Sequence, residues 1–263
     1  MIFRQLFDHE TSTYTYLLAD AKSKEAVLID PVAEQVERDL KLLNELNLTL
    51  KFCIDTHVHA DHVTGAGILR SKTGCQTAVN GNAGVGCADH GLFHGDKISF
   101  GTHSIEVRAT PGHTANCLTF VVRNEGRTMA FTGDTLFIRG CGRTDFQQGN
   151  AQSLYRSVHE QIFSLPDDTR VYPGHDYNGH SSSTVAEEKT NNPRLGVHVS
   201  EKQFVEIMNN LKLGLPKKLH VAVPANLGCG LGGEAEKNQE RDVPELPPSA
   251  ISAPSEWRII DVR

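Results

Sequence analysis

The sequence predicts an α+β fold in which two sheets pack face to face and helices cover them outside. Three observations point there: strand-like segments in both halves of the chain, helical periodicity between them, and a composition able to bury a large core. Of 263 residues, 38% are hydrophobic and 22% charged. That suffices to offset ordering entropy and excludes disordered, low-complexity and collagen-like classes. The net charge of −6, from 26 Lys and Arg against 32 Asp and Glu, argues against nucleic acid as a partner, because phosphate neutralisation needs a basic face.

In chain order, residues 13–19 (TYTYLLA) and 25–29 (EAVLI) read as strands joined by the polar hairpin loop 20–24. Val36, Leu40, Leu43 and Leu46 then recur at helical spacing ahead of a strand over 51–55. Further strands are expected over 76–79, 97–100, 104–109, 118–123, 128–132 and 170–172, and helices over 63–72, 150–163 and 201–210. No apolar run approaches the roughly 18 residues of a membrane-spanning helix, so a membrane is not expected. Residues 1–8 (MIFRQLFD) lack a signal peptide's apolar centre, which predicts a cytoplasmic protein. Cys53, Cys75, Cys87, Cys117, Cys141 and Cys229 form no CxxC pair or repeated spacing. They are expected to be reduced thiols, mostly filling the core.

Beyond Gly233 the composition shifts. Pro244, Pro247, Pro248 and Pro254 fall among charged residues without hydrophobic period, so residues 233–256 read as a linker after a body spanning 1–232.

The densest chemistry lies in Thr56-His57-Val58-His59-Ala60-Asp61-His62, immediately after a strand. In an extended segment residues i and i+2 share a face, so His57 and His59 can aim at one point, with Asp61 and His62 following at the turn. Three later segments repeat one format of strand, glycine, ligand: Gly112-His113, Gly133-Asp134 and Gly174-His175. Glycine admits close backbone approach, which lets strand ends deliver ligands to a shared cavity. Singly these are ordinary turns. Together the seven groups predict metal binding.

With THVHADH, His113, Asp134 and His175 in place, the chain resembles the metallo-β-lactamase superfamily over residues 1 to about 232, which implies an αββα sandwich with metal at the sheet edges. Residues 138–149 (IRGCGRTDFQQG), His175-Asp176-Tyr177, Asn192-Pro193-Arg194-Leu195 and Pro224-Ala225-Asn226 are similar to the persulfide dioxygenase (ethylmalonic encephalopathy protein) family within it.

The residues by themselves permit two zinc sites, His57, His59 and His113 for one ion and Asp61, His62 and His175 for the other, with Asp134 bridging. That is the alternative of a glyoxalase II-type dizinc hydroxyacylglutathione hydrolase, in which two metals clamp a water. The resemblance implies instead one Fe(II) per chain held by His57, His113 and Asp134, with open positions for O2 and a thiolate. His59, Asp61, His62 and His175 then orient water and the ligands by hydrogen bonding, or mark a vacant second metal site. The implied reaction converts glutathione persulfide and O2 to sulfite and glutathione in sulfide and sulfane-sulfur detoxification, and no protein nucleophile is assigned.

Three residues are candidates for substrate binding. Arg143 is either a glutathione carboxylate contact or an ion pair holding the active-site loop. Tyr177 either places its hydroxyl near iron or substrate or packs as an aromatic. Cys229 lies on the family's closing loop, as a buried inert thiol or a reactive one. The resemblance admits a homo-oligomer, although no apolar stripe announces an interface. Finally, residues 257–263 (WRIIDVR) resemble the opening strand of a rhodanese domain, which implies a fusion of two sulfane-sulfur activities.

Overall fold

The strand Thr13–Ala19 is buried along its whole length, so both of its faces need apolar cover. Tyr16 and Leu18 point into one hydrophobic cluster and Leu17 and Ala19 into another, as the two-residue period of a strand requires. The computed structural model, which describes residues 1–211, 213–214 and 218–231, meets that requirement with four layers.

The first sheet takes the order β1 (Ile2–Asp8), β2 (Thr13–Ala19), β3 (Glu25–Ile29), β4 (Thr49–Ile54), β5 (Gln76–Asn80), β6 (His90–Leu92). Its first three strands are antiparallel and the rest parallel. The second sheet contains β7 (Lys97–Phe100), β8 (His103–Ala109), β9 (Leu118–Asn124), β10 (Arg127–Gly133), β11 (Arg170–Pro173) and β12 (Ser183–Thr184), in that spatial order. Only β10 and β11 pair in parallel. Between the sheets lie Tyr16, Ile29 and Ile54 from one side and Phe100, Phe120 and Phe131 from the other.

Outside the first sheet, α1 (Val36–Glu45) and α2 (Ala66–Thr73) cover Leu17, Leu28 and Cys53 with Val36, Leu43 and Leu69. On the second sheet, α3 (Ala151–Ser157) and α5 (Glu201–Asn209) cover Val121, Ala130 and Val171 with Leu154, Phe204 and Met208. α4 (Val185–Asn191) and α5 both open with a capping box, from Thr184 with Glu187 and from Ser200 with Gln203.

The expected face-to-face sandwich is present, and the differences are local. The helix expected from residue 63 begins at Ala66, because Val32 and Thr64 form a bridge and the Ala33 amide donates to the Val63 carbonyl. The expected helix over 150–163 is α3, capped by Asn150, followed by a wider π-type turn over Val158–Ile162. β1 pairs with one neighbour only and is largely half-buried, which weakens its apolar alternation. A last helix, α6 (Leu219–Leu227), carries an internal Pro224 and no polar face, so neither propensity nor period announces it. Among the described residues no helix is long and apolar enough to cross a membrane.

The chain divides into Met1–Gly232 and Gly233–Arg263. The linker over 233–256 and the rhodanese-like strand over 257–263 lie outside the described residues.

One expectation is corrected. Cys87, in the loop after β5, is disulfide-bonded to Cys229, just past α6, across 142 residues with Cα atoms 6.1 Å apart. Spacing along the chain could not show this pair, since contact between two distant loops creates it. Cys53, Cys75, Cys117 and Cys141 are free and buried, as expected of core fillers. Denaturation without reductant should therefore expose four titratable thiols, and denaturation after reduction six; six in both cases would remove the bridge.

Candidate metal centre

β4, β8, β10 and β11 bring the candidate groups to one edge of the sandwich: His57 three residues after β4, His113 four after β8, Asp134 directly after β10 and His175 two after β11. Glycine makes two of these approaches feasible. Gly133 has φ +48° and a Cβ there would meet Thr56 Oγ1 at 2.5 Å; Gly112 has φ +145° and a Cβ would meet the Leu154 backbone at 2.3 Å.

Each histidine's hydrogen bonds determine which nitrogen it offers. Thr56 donates its amide to Asp30 Oδ1 (2.7 Å) and its hydroxyl to Asp30 Oδ2 (2.9 Å). With that proton so engaged, Thr56 Oγ1 accepts from His57 Nδ1 at 3.0 Å, and His57 presents the lone pair of Nε2. His113 Nδ1 donates to the Arg143 carbonyl at 2.7 Å, which leaves its Nε2 3.5 Å from Asp134 Oδ2. Ligand atoms of His57, His113 and Asp134 all lie within 4.8 Å of one another.

His59, Asp61 and His62 form a second group within the same limit. Here His59 turns Nε2 to Asp30 Oδ1 at 3.2 Å, and His62 Nδ1 meets Asp61 Oδ2 at 3.0 Å. His175 joins the two groups, its Nε2 3.4 Å from Asp61 Oδ2 and 3.6 Å from Asp134 Oδ1. Its Nδ1 donates to the Ser12 carbonyl at 3.2 Å. All seven sequence-predicted groups thus meet at one place.

The electrostatics follow from burial and these pairings. Burial, reinforced by His59 and His113, holds the His57 imidazole well below its usual pKa, in the neutral form a ligand needs. Burial opposes the charge on His59 too, but the Asp30 carboxylate outweighs it and raises His59 to about 10. Asp61, against the cost of burial, is held well below the carboxylate range by His62 and His175. Burial lifts Asp55, beside this cluster, to about 7. Asp134 Oδ1, His59 Nδ1 and His62 Nε2 are buried without a hydrogen-bond partner. Buried polar atoms are rarely left so. Nitrogen and carboxylate donors converging in this state fit a bound cation.

The three candidate substrate residues fare differently. Arg143 grips Asp145 with two 2.6 Å bonds, donates to the Gly214 carbonyl at 2.5 Å and lies 4.4 Å over the Phe146 ring. Its guanidinium is engaged, so of its two expected roles the geometry matches the loop-holding ion pair. Tyr177 is 71% exposed, with its ring parallel to His175 at 5.9 Å, at the rim of the cluster and outside any core. Cys229 is neither form of thiol expected of it, being bonded to Cys87.

Sequence reasoning missed the residues that hold the ligands. Asp30 is 1% exposed, with φ +50° directly after β3. Asn226 of α6 accepts from the Thr64 amide (2.8 Å) and donates to the carbonyls of His59 and His62 (2.9 Å each), clamping the histidine segment from behind. Asp30 does repeat the strand-end acid format of Asp134, a signal that was available. Asn226 had none beyond family likeness.

A sandwich of this architecture with a histidine and carboxylate cluster at its edge defines a metal-dependent enzyme, and the metallo-beta-lactamase superfamily model matches residues 10–175. The chain is 52% identical to the Mus musculus mitochondrial persulfide dioxygenase ETHE1 and 53% identical to the Homo sapiens protein. Each alignment covers 88% of this chain and 89% of the relative. The crystal structure of ETHE1 from Myxococcus xanthus superposes with TM-score 0.84 at 51% identity, covering 88% of this chain and all of that one. A metallo-beta-lactamase structure from Staphylococcus aureus gives 0.80 at 28% identity, over 87% of this chain and 72% of its own. Within its superfamily, this chain belongs to the persulfide dioxygenase family.

Asp30→Asn should weaken metal affinity by about 10- to 100-fold, the usual cost of losing an outer partner of a ligand. Cobalt(II) titration followed by its visible bands measures this, with circular dichroism as the control for folding. Unaltered affinity in a folded variant would show that Asp30 does not orient the ligands.

Proposed function

We propose that this chain is a mononuclear Fe(II) dioxygenase that oxidises glutathione persulfide with O2 to sulfite and glutathione. One observation supports it above the others: His57, His113 and Asp134 close on one another as two imidazole nitrogens and one carboxylate, the donor set that suits non-haem Fe(II). The relatives named as persulfide dioxygenases supply the substrate class. Glutathione persulfide, O2 and one water balance as glutathione, sulfite and protons.

When bound, Fe(II) supplies the redox chemistry and open positions for both reactants. The chain's own residues do the rest. Asp30, through Thr56, holds His57 in the tautomer that offers Nε2, and the Arg143 carbonyl does the same for His113. The Arg143 guanidinium, tied to Asp145, keeps that carbonyl in place and so acts through His113. Asp61, His62 and His175 form a paired polar wall that positions water for the hydrolytic release of sulfite. The exposed phenol of Tyr177 above His175 is the contact we assign to the glutathione moiety. In this reading catalysis resides in residues 1–232.

Against the dizinc hydrolase stand the named relatives; in the mononuclear reading His59, its Nε2 turned to Asp30, buttresses the site.

Purified without added metal, the protein should hold about one iron per chain and consume O2 with glutathione persulfide but not with glutathione alone. Two zincs per active chain, or turnover without oxygen, would sink the assignment. His113→Ala should lose iron and oxygen uptake together, since two remaining ligands chelate weakly; an active, iron-loaded variant would refute the triad.

A further inference from the structure

Cys229, bonded to Cys87, lines a cavity of about 20 Å³ that also touches His57, Val58 and His59. β5 forms much of the remaining wall, through Thr77, Ala78 and Val79, with Ala66 of α2. Val85 and Ala88 come from the loop that carries Cys87, and Asn226 from α6. The disulfide therefore joins the loop that carries Val85 and Ala88 to the turn just past α6.

The two sides differ in how firmly they are held. On the Cys229 side, its carbonyl accepts from the Gly67 amide at 2.9 Å and Asn226 makes its three bonds to the histidine segment. On the Cys87 side the sequence is Gly84-Val85-Gly86-Cys87, and a Cβ at Gly84 or Gly86 would meet nothing within 4 Å. Asp89 anchors the end of this loop, its carboxylate accepting from the Thr77 amide and hydroxyl and from Arg70; within residues 84–88, Arg70 Nη1 donates to the Cys87 carbonyl at 2.7 Å. Accessibility is also unequal, since Cys87 is half-buried whereas Cys229 is 3% exposed.

We propose that the Cys87–Cys229 disulfide is a thiol-exchange site, a latch that low-molecular-weight thiols of the glutathione class open to release residues 84–88 from the cavity beside His57. Exchange proceeds by in-line attack on the accessible sulfur. A glutathione thiolate bonds to Cys87 Sγ, the Cys87–Cys229 bond breaks, and the electron pair leaves on Cys229 Sγ, which takes a proton from water. A second glutathione thiolate attacks the mixed disulfide, giving oxidised glutathione and the Cys87 thiolate. Two glutathiones are oxidised by one bond and the protein disulfide is reduced to two thiols. Cys229 stays where α6 holds it, and the glycine-flanked Cys87 segment swings away with Val85 and Ala88. Access to the metal ligands from this side then increases. Glutathione is also the product of the reaction proposed above, and only the consequence for turnover rests on that reading.

The iron-loaded protein, incubated with glutathione under nitrogen and quenched with an alkylating agent, should yield the glutathione adduct on Cys87 with Cys229 alkylated. Cys53, Cys75, Cys117 and Cys141 should stay unlabelled. Amide hydrogen exchange in residues 84–88 should accelerate at least several-fold on opening, and Cys87→Ser should show the fast exchange without glutathione. Oxygen uptake at subsaturating persulfide should rise a few-fold on opening and be insensitive to glutathione pre-treatment in Cys87→Ser. A bridge that survives millimolar glutathione in the folded protein, an adduct on Cys229, or loop exchange unaffected by opening would each overturn the latch. Absence of oxygen uptake in every state, with the adduct and exchange as expected, would instead count against the dioxygenase reading and leave the latch standing.

Discussion

The buried carboxylate of Asp30 is the constraint around which the metal edge is built. It sits in a left-handed backbone conformation at the end of β3 and receives three donors from one neighbouring segment: the amide and hydroxyl of Thr56 and Nε2 of His59. A carboxylate removed from water costs several kcal/mol unless such donors compensate it. The same bonds that meet this need also orient two imidazoles. Satisfying Asp30 and aiming His57 are therefore one requirement, and the segment after β4 has little freedom to do otherwise.

The second sheet supplies what that segment lacks. His113 and Asp134 arrive from strands that never pair with β4, and their approach depends on the ~10 Å stacking of the two sheets. Large aromatic residues such as Tyr16, Phe120 and Phe131 fill the space between the sheets and set their relative position. Packing far from the metal thus determines whether the ligand atoms come within reach of one ion. The glycines at 112 and 133 let the backbones close the remaining distance.

α6 seals the arrangement from behind. Its Asn226 satisfies backbone groups of the histidine segment that would otherwise be buried and unpaired, and its C-terminal turn is joined covalently to the loop after β5. A helix with an internal proline and no polar face has small intrinsic stability in water. It is held by these tertiary ties, which place a reducible bond in the wall beside His57.

By itself the sequence determined the layers and the candidate ligand cluster. Strand and helix periods are local, and seven histidine and aspartate side chains able to bind metal, three of them in a strand-end format, are legible without coordinates. The ends of α2, the edge strand β1 and the helix α6 were not legible, because contacts between distant segments decide them. The same holds within the site. Only the tertiary structure decided that His59 turns to Asp30, that Arg143 is engaged by Asp145, that Asn226 clamps the histidine segment, and that Cys87 and Cys229 pair. A residue's type states which bonds it can make; which of them it makes depends on what the fold brings within about 3 Å, and hydrogen-bond energies fall away steeply beyond that distance.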